Sequence, residues 1–300
     1  MEKEYRDTNK FKNILCETMK AFIAFCEDNG LHYYASYGTC LGAIRHKGII
    51  PWDDDIDVLM PRKDYNKFLK LKNSLLGTSY RIVDSSDDGY YLSFAKFVNV
   101  NTTILESLEF PFLLGVFVDV FPLDDVGNVV TARQLSDEKN KVWFQYRDSL
   151  LHFVPSTFCN YVLRFKVKTA FHYLINAVLG RFHSKKLYDK FLDVDKTIQQ
   201  QQGNKCMFYG GWYSFDKELC KKEWFGEGVS VPFEDFSIVV PIKYDAYLSH
   251  IYKDYMTPPP IEQQVSHHDQ YFVDLTKRFS VKEIYGLKLK KQEKKVYKYE

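Results

Sequence analysis

At 300 residues with 45% apolar content, the chain is long enough to bury a real core and too apolar to be disordered. A formal net charge of only +2 argues against a broad basic field, so no nucleic-acid partner is expected. Six scattered cysteines without a C-x-x-C pair argue against a zinc site or a disulfide framework. The charged start MEKEYRDTNKFKN has no apolar signal core, so a soluble, reduced, cytoplasmic chain is expected.

In chain order, residues 8–29 form the first predicted element, an amphipathic helix. Phe11, Leu15, Met19, Phe22 and Cys26 recur at three- and four-residue steps, and Asn29-Gly30 supplies the stop. LHYYASYG (31–38) reads as a short strand ending in a glycine turn, and TCLGAIRH (39–46) as a short helix leaving it. Residues 56–60 are a predicted strand and RKDYNKFLKLKNSLL a helix, with Pro61 between them. Four strand-like runs follow, YRIVD, YLSFAKFVNV, TTILE and GVFVDVFPLDD, rich in β-branched and aromatic residues. This mixture over residues 1–126 points to an α/β or α+β catalytic core. Residues 127–205 read as a helical region broken near Pro155 and Gly180. A mixed C-terminal region, 206–300, carries a helix near KYDAYLSHIYKDYM, the breaker TPPP and a charged end expected to be solvated.

The segment IPWDDDIDVLMPRKDY places Asp53, Asp54, Asp55 and Asp57 at the lip of a predicted strand. Side chains two apart on a strand share a face, so Asp55 and Asp57 point together while Ile56 and Val58 turn into the core. Two such carboxylates repel by roughly 4 kcal/mol at 4 Å with an effective dielectric near 20, a cost that a divalent cation converts into binding. A solvated acidic turn is the plain reading of one D-x-D. An EF-hand fails, because Val58 stands where that loop needs glycine, Asp64 where it needs glutamate, and Pro61 intrudes.

Two further features favour a catalytic Mg²⁺ or Mn²⁺ site that holds nucleotide phosphates. Gly38-Thr39 lies at a strand-to-helix turn, where backbone N–H groups and the helix dipole attract phosphate. Asp119 is isolated among Phe117, Val118, Val120 and Phe121, where a carboxylate is costly without a cation or a partner. Together the three features describe a metal-dependent nucleotidyltransferase-type site.

YGTCLGAIRHKGIIPWDDDIDVLMPRKDYNKF, FVDVFPLDD and VPFEDFSIVVPIKYDAYLSHIYKDYMTPPP resemble the signature of the LicD family, phosphotransferases related distantly to the fukutin-related proteins. The resemblance implies an α+β, nucleotidyltransferase-like mixed sheet flanked by helices, with the C-terminal region completing the active site. It also implies transfer of a phosphorylated small group, foremost phosphocholine from CDP-choline, to a hydroxyl of a surface glycan or its lipid-linked precursor, with release of CMP. Carried onto this sequence, Asp55, Asp57 and Asp119 hold the metal and do the catalysis, and Gly38 and Thr39 bind phosphate. A CDP-linked ethanolamine, ribitol or glycerol donor is the alternative within the family. A D-x-D glycosyltransferase and a non-catalytic glycan-binding module are the alternatives outside it.

Other residues carry two readings each. Arg45 and His46 hold phosphate or brace the HKGIIPW loop; Lys96 reaches the donor phosphates or snorkels out of its strand. Trp52, backed by Tyr37 and Trp212, is the candidate wall of an aromatic cage for choline, with core packing as the plain alternative. His267 and His268 read as an incidental loop pair, or as contacts for a metal or the acceptor. The stretch 161–186 carries six basic residues around AFHYLINAVLG (170–180), an apolar run too short to span a bilayer. It reads first as a core helix with basic ends, and second as a peripheral contact with an anionic membrane, at the inner face of the plasma membrane.

Overall fold

The computed structural model describes residues 8–211, 213–265 and 270–286. Trp212, His267, His268 and the charged end at 287–300 lie outside the described residues. The first helix, α1 (Thr8–Asn29), is followed by β1 (Tyr34–Ala35), α2 (Tyr37–Arg45), β2 (Asp57–Pro61), α3 (Arg62–Lys70), β3 (Tyr80–Val83), β4 (Ala95–Asn99), β5 (Thr103–Leu105) and β6 (Phe117–Val126). A helical stretch then holds α4 (Val129–Ser149), α5 (Pro155–Leu163), α6 (Val167–Leu179) and α7 (Arg181–Gln199). The rest comprises β7 (Lys205–Met207), α8 (Phe215–Glu218), β8 (Cys220–Lys221), a hairpin of β9 (Val229–Phe233) and β10 (Phe236–Val240), α9 (Tyr244–Tyr252), β11 (Phe272–Asp274) and α10 (Val281–Gly286).

The central sheet runs β1-β2-β6-β4-β3, with β7 and then β8 added at the far end of β6. Only β2 and β6 pair in parallel, so this is a mixed sheet in an α+β fold. The apolar stripe of α1 packs on it: all five positions picked out by spacing are buried, Phe11 being the most exposed at 3%. Phe22 meets Tyr33, Phe68 and Phe97 edge-on at centroid distances of 5.3, 6.0 and 5.7 Å. Each such buried ring contributes about 1.5–3 kcal/mol.

Four predicted boundaries move. The strand expected over 31–38 reduces to Tyr34–Ala35, and α2 begins at Tyr37 rather than Thr39. The helix after Pro61 tightens into a 3₁₀ turn, Leu71–Leu75. Residues 91–100 contribute strand only at Ala95–Asn99. Tyr37 explains the second part of the first shift: it takes φ +44°, a left-handed turn that glycine would fill more easily. Its backbone N–H donates to Tyr247 Oη at 3.3 Å and its hydroxyl to Glu218 Oε2 at 2.7 Å, both far along the chain.

The helical stretch is fastened to the sheet by buried charge. Arg62, at the start of α3, makes a two-pronged bond to Asp124 of β6 at 2.6 and 2.7 Å and also reaches Asp195 of α7 at 3.4 Å. Lys139 of α4, 1% exposed in its side chain, donates to Asp195 at 2.6 Å. These two cations outweigh burial and hold the Asp195 carboxyl well below the usual carboxylate range.

Candidate active site

Asp57 opens β2 in register with Asp119 on β6. Asp55 stands two residues earlier, and Ile56 and Val58 are fully buried, as the alternation of an extended chain requires. Backbone bonds hold this lip in place. Asp119 N–H donates to Ile56 O at 2.8 Å, and Ser36 N–H to Asp57 O at 3.0 Å. One oxygen from each of Asp55, Asp57 and Asp119 therefore lies within 4.8 Å of the other two. Asp53, Asp54 and Asp55 form a second acidic group as tight, built from one loop. The first combines two strands and a buried member, and its all-oxygen donor set fits a hard divalent cation.

Thr39 is brought to the acidic lip rather than to open space: its hydroxyl oxygen accepts the Asp57 N–H at 2.8 Å, and the residue is 5% exposed. Gly38 sits in the first turn of α2, where an added Cβ would lie 2.7 Å from Asp53 Oδ2. Glycine lets the loop aspartate approach the helix start. Ser36, at the N-cap, makes no capping bond with its side chain.

Lys96 of β4 faces Asp119 in register and donates to its Oδ1 at 2.6 Å. The lysine side chain is 3% exposed and its ammonium lies 3.4 Å from the centre of the Phe117 ring. It does not snorkel to solvent. Burial pushes the Asp119 carboxyl above its ordinary range against the pull of Lys96, and Asp55 and Glu106 push the same way.

A cavity of about 900 Å³ opens over the three carboxylates, within the usual size of small-molecule sites. Gly38, Arg45, Trp52 and Lys96 line it. His46 stands behind Trp52, edge-on at 5.9 Å. Arg45 donates to Tyr255 O at 2.8 Å, tying the end of α2 to the segment after α9. Of the expected aromatic cage, Trp52 and Tyr37 are on the wall and Trp212 is outside the described residues.

Sequence reasoning missed four wall or support residues. Tyr213 and Tyr252 line the cavity and share a hydroxyl bond of 3.1 Å. Among 22 tyrosines nothing in the sequence singles them out. Glu106 also lines the cavity and accepts the Tyr91 hydroxyl. Glu218, 6% exposed behind Tyr37, has its carboxyl pushed up to about 7 by burial, against the hydrogen bond from Tyr37. A lone glutamate after a lysine carries no sequence signal.

The comparisons with known proteins bear on this geometry directly. Residues 30–165, which include α2, Asp55, Asp57, Lys96 and Asp119, match the family described as LicD/FKTN/FKRP, nucleotidyltransferase domain. The chain is 31% identical over 260 residues to the lipopolysaccharide cholinephosphotransferase LicD of Haemophilus influenzae, spanning 83% of this chain and 91% of that one. The chain belongs to the LicD family. It is thus an enzyme of LicD type, and the resemblance read from its motifs stands. Shorter similarities link it to uncharacterized proteins of Rickettsia typhi, 36% identical over 27% of this chain and 26% of that one, and Rickettsia prowazekii, 40% identical over 21% and 23%. The LicD match covers every candidate metal-binding aspartate, whereas Tyr213, Glu218 and Tyr252 lie beyond the 30–165 domain.

Proposed function

We propose that this chain transfers phosphocholine from CDP-choline to a hydroxyl of lipopolysaccharide or of its lipid-linked glycan precursor, releasing CMP. The observation that carries the reading is the meeting of Asp55, Asp57 and Asp119 in an aromatic-walled cavity. The likeness to a lipopolysaccharide cholinephosphotransferase supplies the group transferred. Asp55, Asp57 and Asp119 would hold Mg²⁺ or Mn²⁺. Such an ion supplies charge neutralisation to the donor diphosphate.

The chain's own residues do the rest. The uncapped start of α2 at Gly38 and the guanidinium of Arg45 attract the donor phosphates. Lys96, by donating to Asp119, limits repulsion within the acidic set. Trp52, Tyr37, Tyr213 and Tyr252 offer π faces to a quaternary ammonium, which has no hydrogen to donate. The acceptor oxygen attacks the phosphorus that bears choline, a phosphodiester forms, and the bond to CMP breaks. The hydroxyl proton passes to a cavity carboxylate, for which Asp119 and Glu106 are on the wall. The C-terminal part, through Tyr213 and Tyr252, completes the site.

The test is CMP release with Mg²⁺ across a panel of CDP-linked choline, ethanolamine, ribitol and glycerol, with UDP- and GDP-sugars alongside. CDP-choline is expected to lead, and Asp55→Asn or Asp57→Asn to abolish turnover while the circular-dichroism spectrum is unchanged. Near-normal turnover in either variant, or preference for a nucleotide sugar, would overturn the reading.

A further inference from the structure

The expectation that 161–186 is a core helix does not hold. On α6 the buried positions are Ala170 and Tyr173, and Gly180 follows at its end. Gly180 fits so closely against the end of α4 that an added Cβ would lie 2.7 Å from Ser149 Cα. The large apolar residues face outward. Val167, Phe171, Ile175 and Val178 follow one another at steps of four, four and three, one stripe of α6, and are 65, 62, 37 and 60% exposed; Phe182, at the start of α7 just past Gly180, is 82% exposed. The helix is amphipathic with its larger apolar face turned to solvent.

The turn between α5 and α6 adds an independent sign. Phe165 is 91% exposed and takes φ +56°, a left-handed position at a helix end that glycine occupies most readily. Leu163, 75% exposed, stands beside it. A bulky apolar residue at this position adds backbone strain and gains no burial within the fold. Its use lies outside the fold.

Charge identifies the occupant. Residues 149–188 contain no Asp or Glu across 40 positions, and six basic residues: Arg164, Lys166, Lys168, Arg181, Lys185 and Lys186. With the whole chain at +2, the other 260 residues stand at −4. The basic groups flank both ends of the apolar stripe and all are exposed. A second copy of the chain meeting this face about a twofold axis would set these charges against themselves. An anionic lipid surface complements them, and its acyl boundary receives the aromatic rings. No helix among the described residues is long and apolar enough to cross a membrane, so the contact would lie in the interface.

We propose that the α5–α6 turn, the outward stripe of α6 and the first residues of α7 form a docking face for an anionic bilayer. Phe165, Phe171 and Phe182 insert into the headgroup boundary, and the six basic residues sit among the lipid phosphates. This stands apart from the reaction proposed above and its test reads no activity.

The full chain is sedimented with vesicles of phosphatidylglycerol and phosphatidylcholine in equal parts, and with phosphatidylcholine alone, at low and high NaCl. Strong binding is expected only to the anionic vesicles, weakened by salt. Phe165→Ser/Phe171→Ser/Phe182→Ser should lower the partition coefficient at least about ten-fold, since each ring withdraws from the boundary. Lys166→Gln/Lys168→Gln, which leaves every apolar residue in place, should lower it about five-fold per charge on anionic vesicles and not at all on neutral ones. Equal binding of the triple serine variant, or no binding of the wild type at low salt, overturns the proposal. Sedimentation velocity showing a dimer that the triple variant dissolves would assign the face to a second copy instead.

Discussion

Replacing Lys96 by methionine isolates the charge that keeps Asp119 tolerable inside the fold. Methionine keeps most of the apolar stem and removes the ammonium that lies over Phe117 and bonds Asp119. At the observed 2.6 Å, the attraction to Asp119 is about 6 kcal/mol with an effective dielectric near 20. Much of that offsets desolvation, and breaking such a buried pair from one side costs about 3–5 kcal/mol. Asp55 and Glu106 add to the exposed cost, because both already press the Asp119 carboxyl toward its neutral form. For a chain of this length the loss corresponds to a melting temperature about 5–8 °C lower. Thermal melts in EDTA should show that drop, and millimolar Mg²⁺ should narrow it, since a cation among Asp55, Asp57 and Asp119 supplies the missing positive charge. A Lys96→Met variant that melts with the wild type in EDTA, or a gap untouched by Mg²⁺, would refute the reasoning.

Glu218→Gln tests the second buried carboxyl. Its folded value of about 7 lies above the ordinary 4.5, so the native state holds a proton that the unfolded chain has released between those pH values. Stability then falls as pH rises from about 4.5 to 7, by about 3 kcal/mol for this group. The glutamine variant should gain on the wild type across that window in denaturant titrations, and parallel pH curves would contradict the assignment. Asp195→Asn strands Lys139, whose side chain is 1% exposed, and should cost about 3–5 kcal/mol near neutral pH. Because Asp195 is depressed, its contribution is present above about pH 4 and lost below, so the two proteins' urea midpoints should converge in acid. A gap that persists unchanged at low pH would show that charge is not its source.

Local pattern made the acidic lip legible. A carboxylate pair two residues apart beside apolar partners has one orientation on a strand, and Ile56 and Val58 are fully buried as that requires. The buried stripe of α1 was legible for the same kind of reason, a period that needs no partner to be read. What failed to show was anything decided at long range. Tyr37 starts α2 early because Tyr247 and Glu218, some two hundred residues away, hold it in a left-handed turn. Arg62 and Asp124 sat in plain motifs, yet only the fold shows that one clamps the other across β6. On α6 the helix period was visible but its facing was not. Ala170, Tyr173 and, just past the helix end, Gly180 take the inside, and Phe171 is left out.

The proposed reaction rests on three carboxylates sharing one divalent cation. Mn²⁺ uptake by the purified full chain, followed as loss of the free-ion paramagnetic resonance signal, measures that without any choice of donor. Saturable uptake by the wild type, reversed by Mg²⁺ and lost in both Asp57→Asn and Asp119→Asn, is the predicted result. Undiminished uptake by Asp119→Asn would contradict it, because that residue alone comes from the second strand.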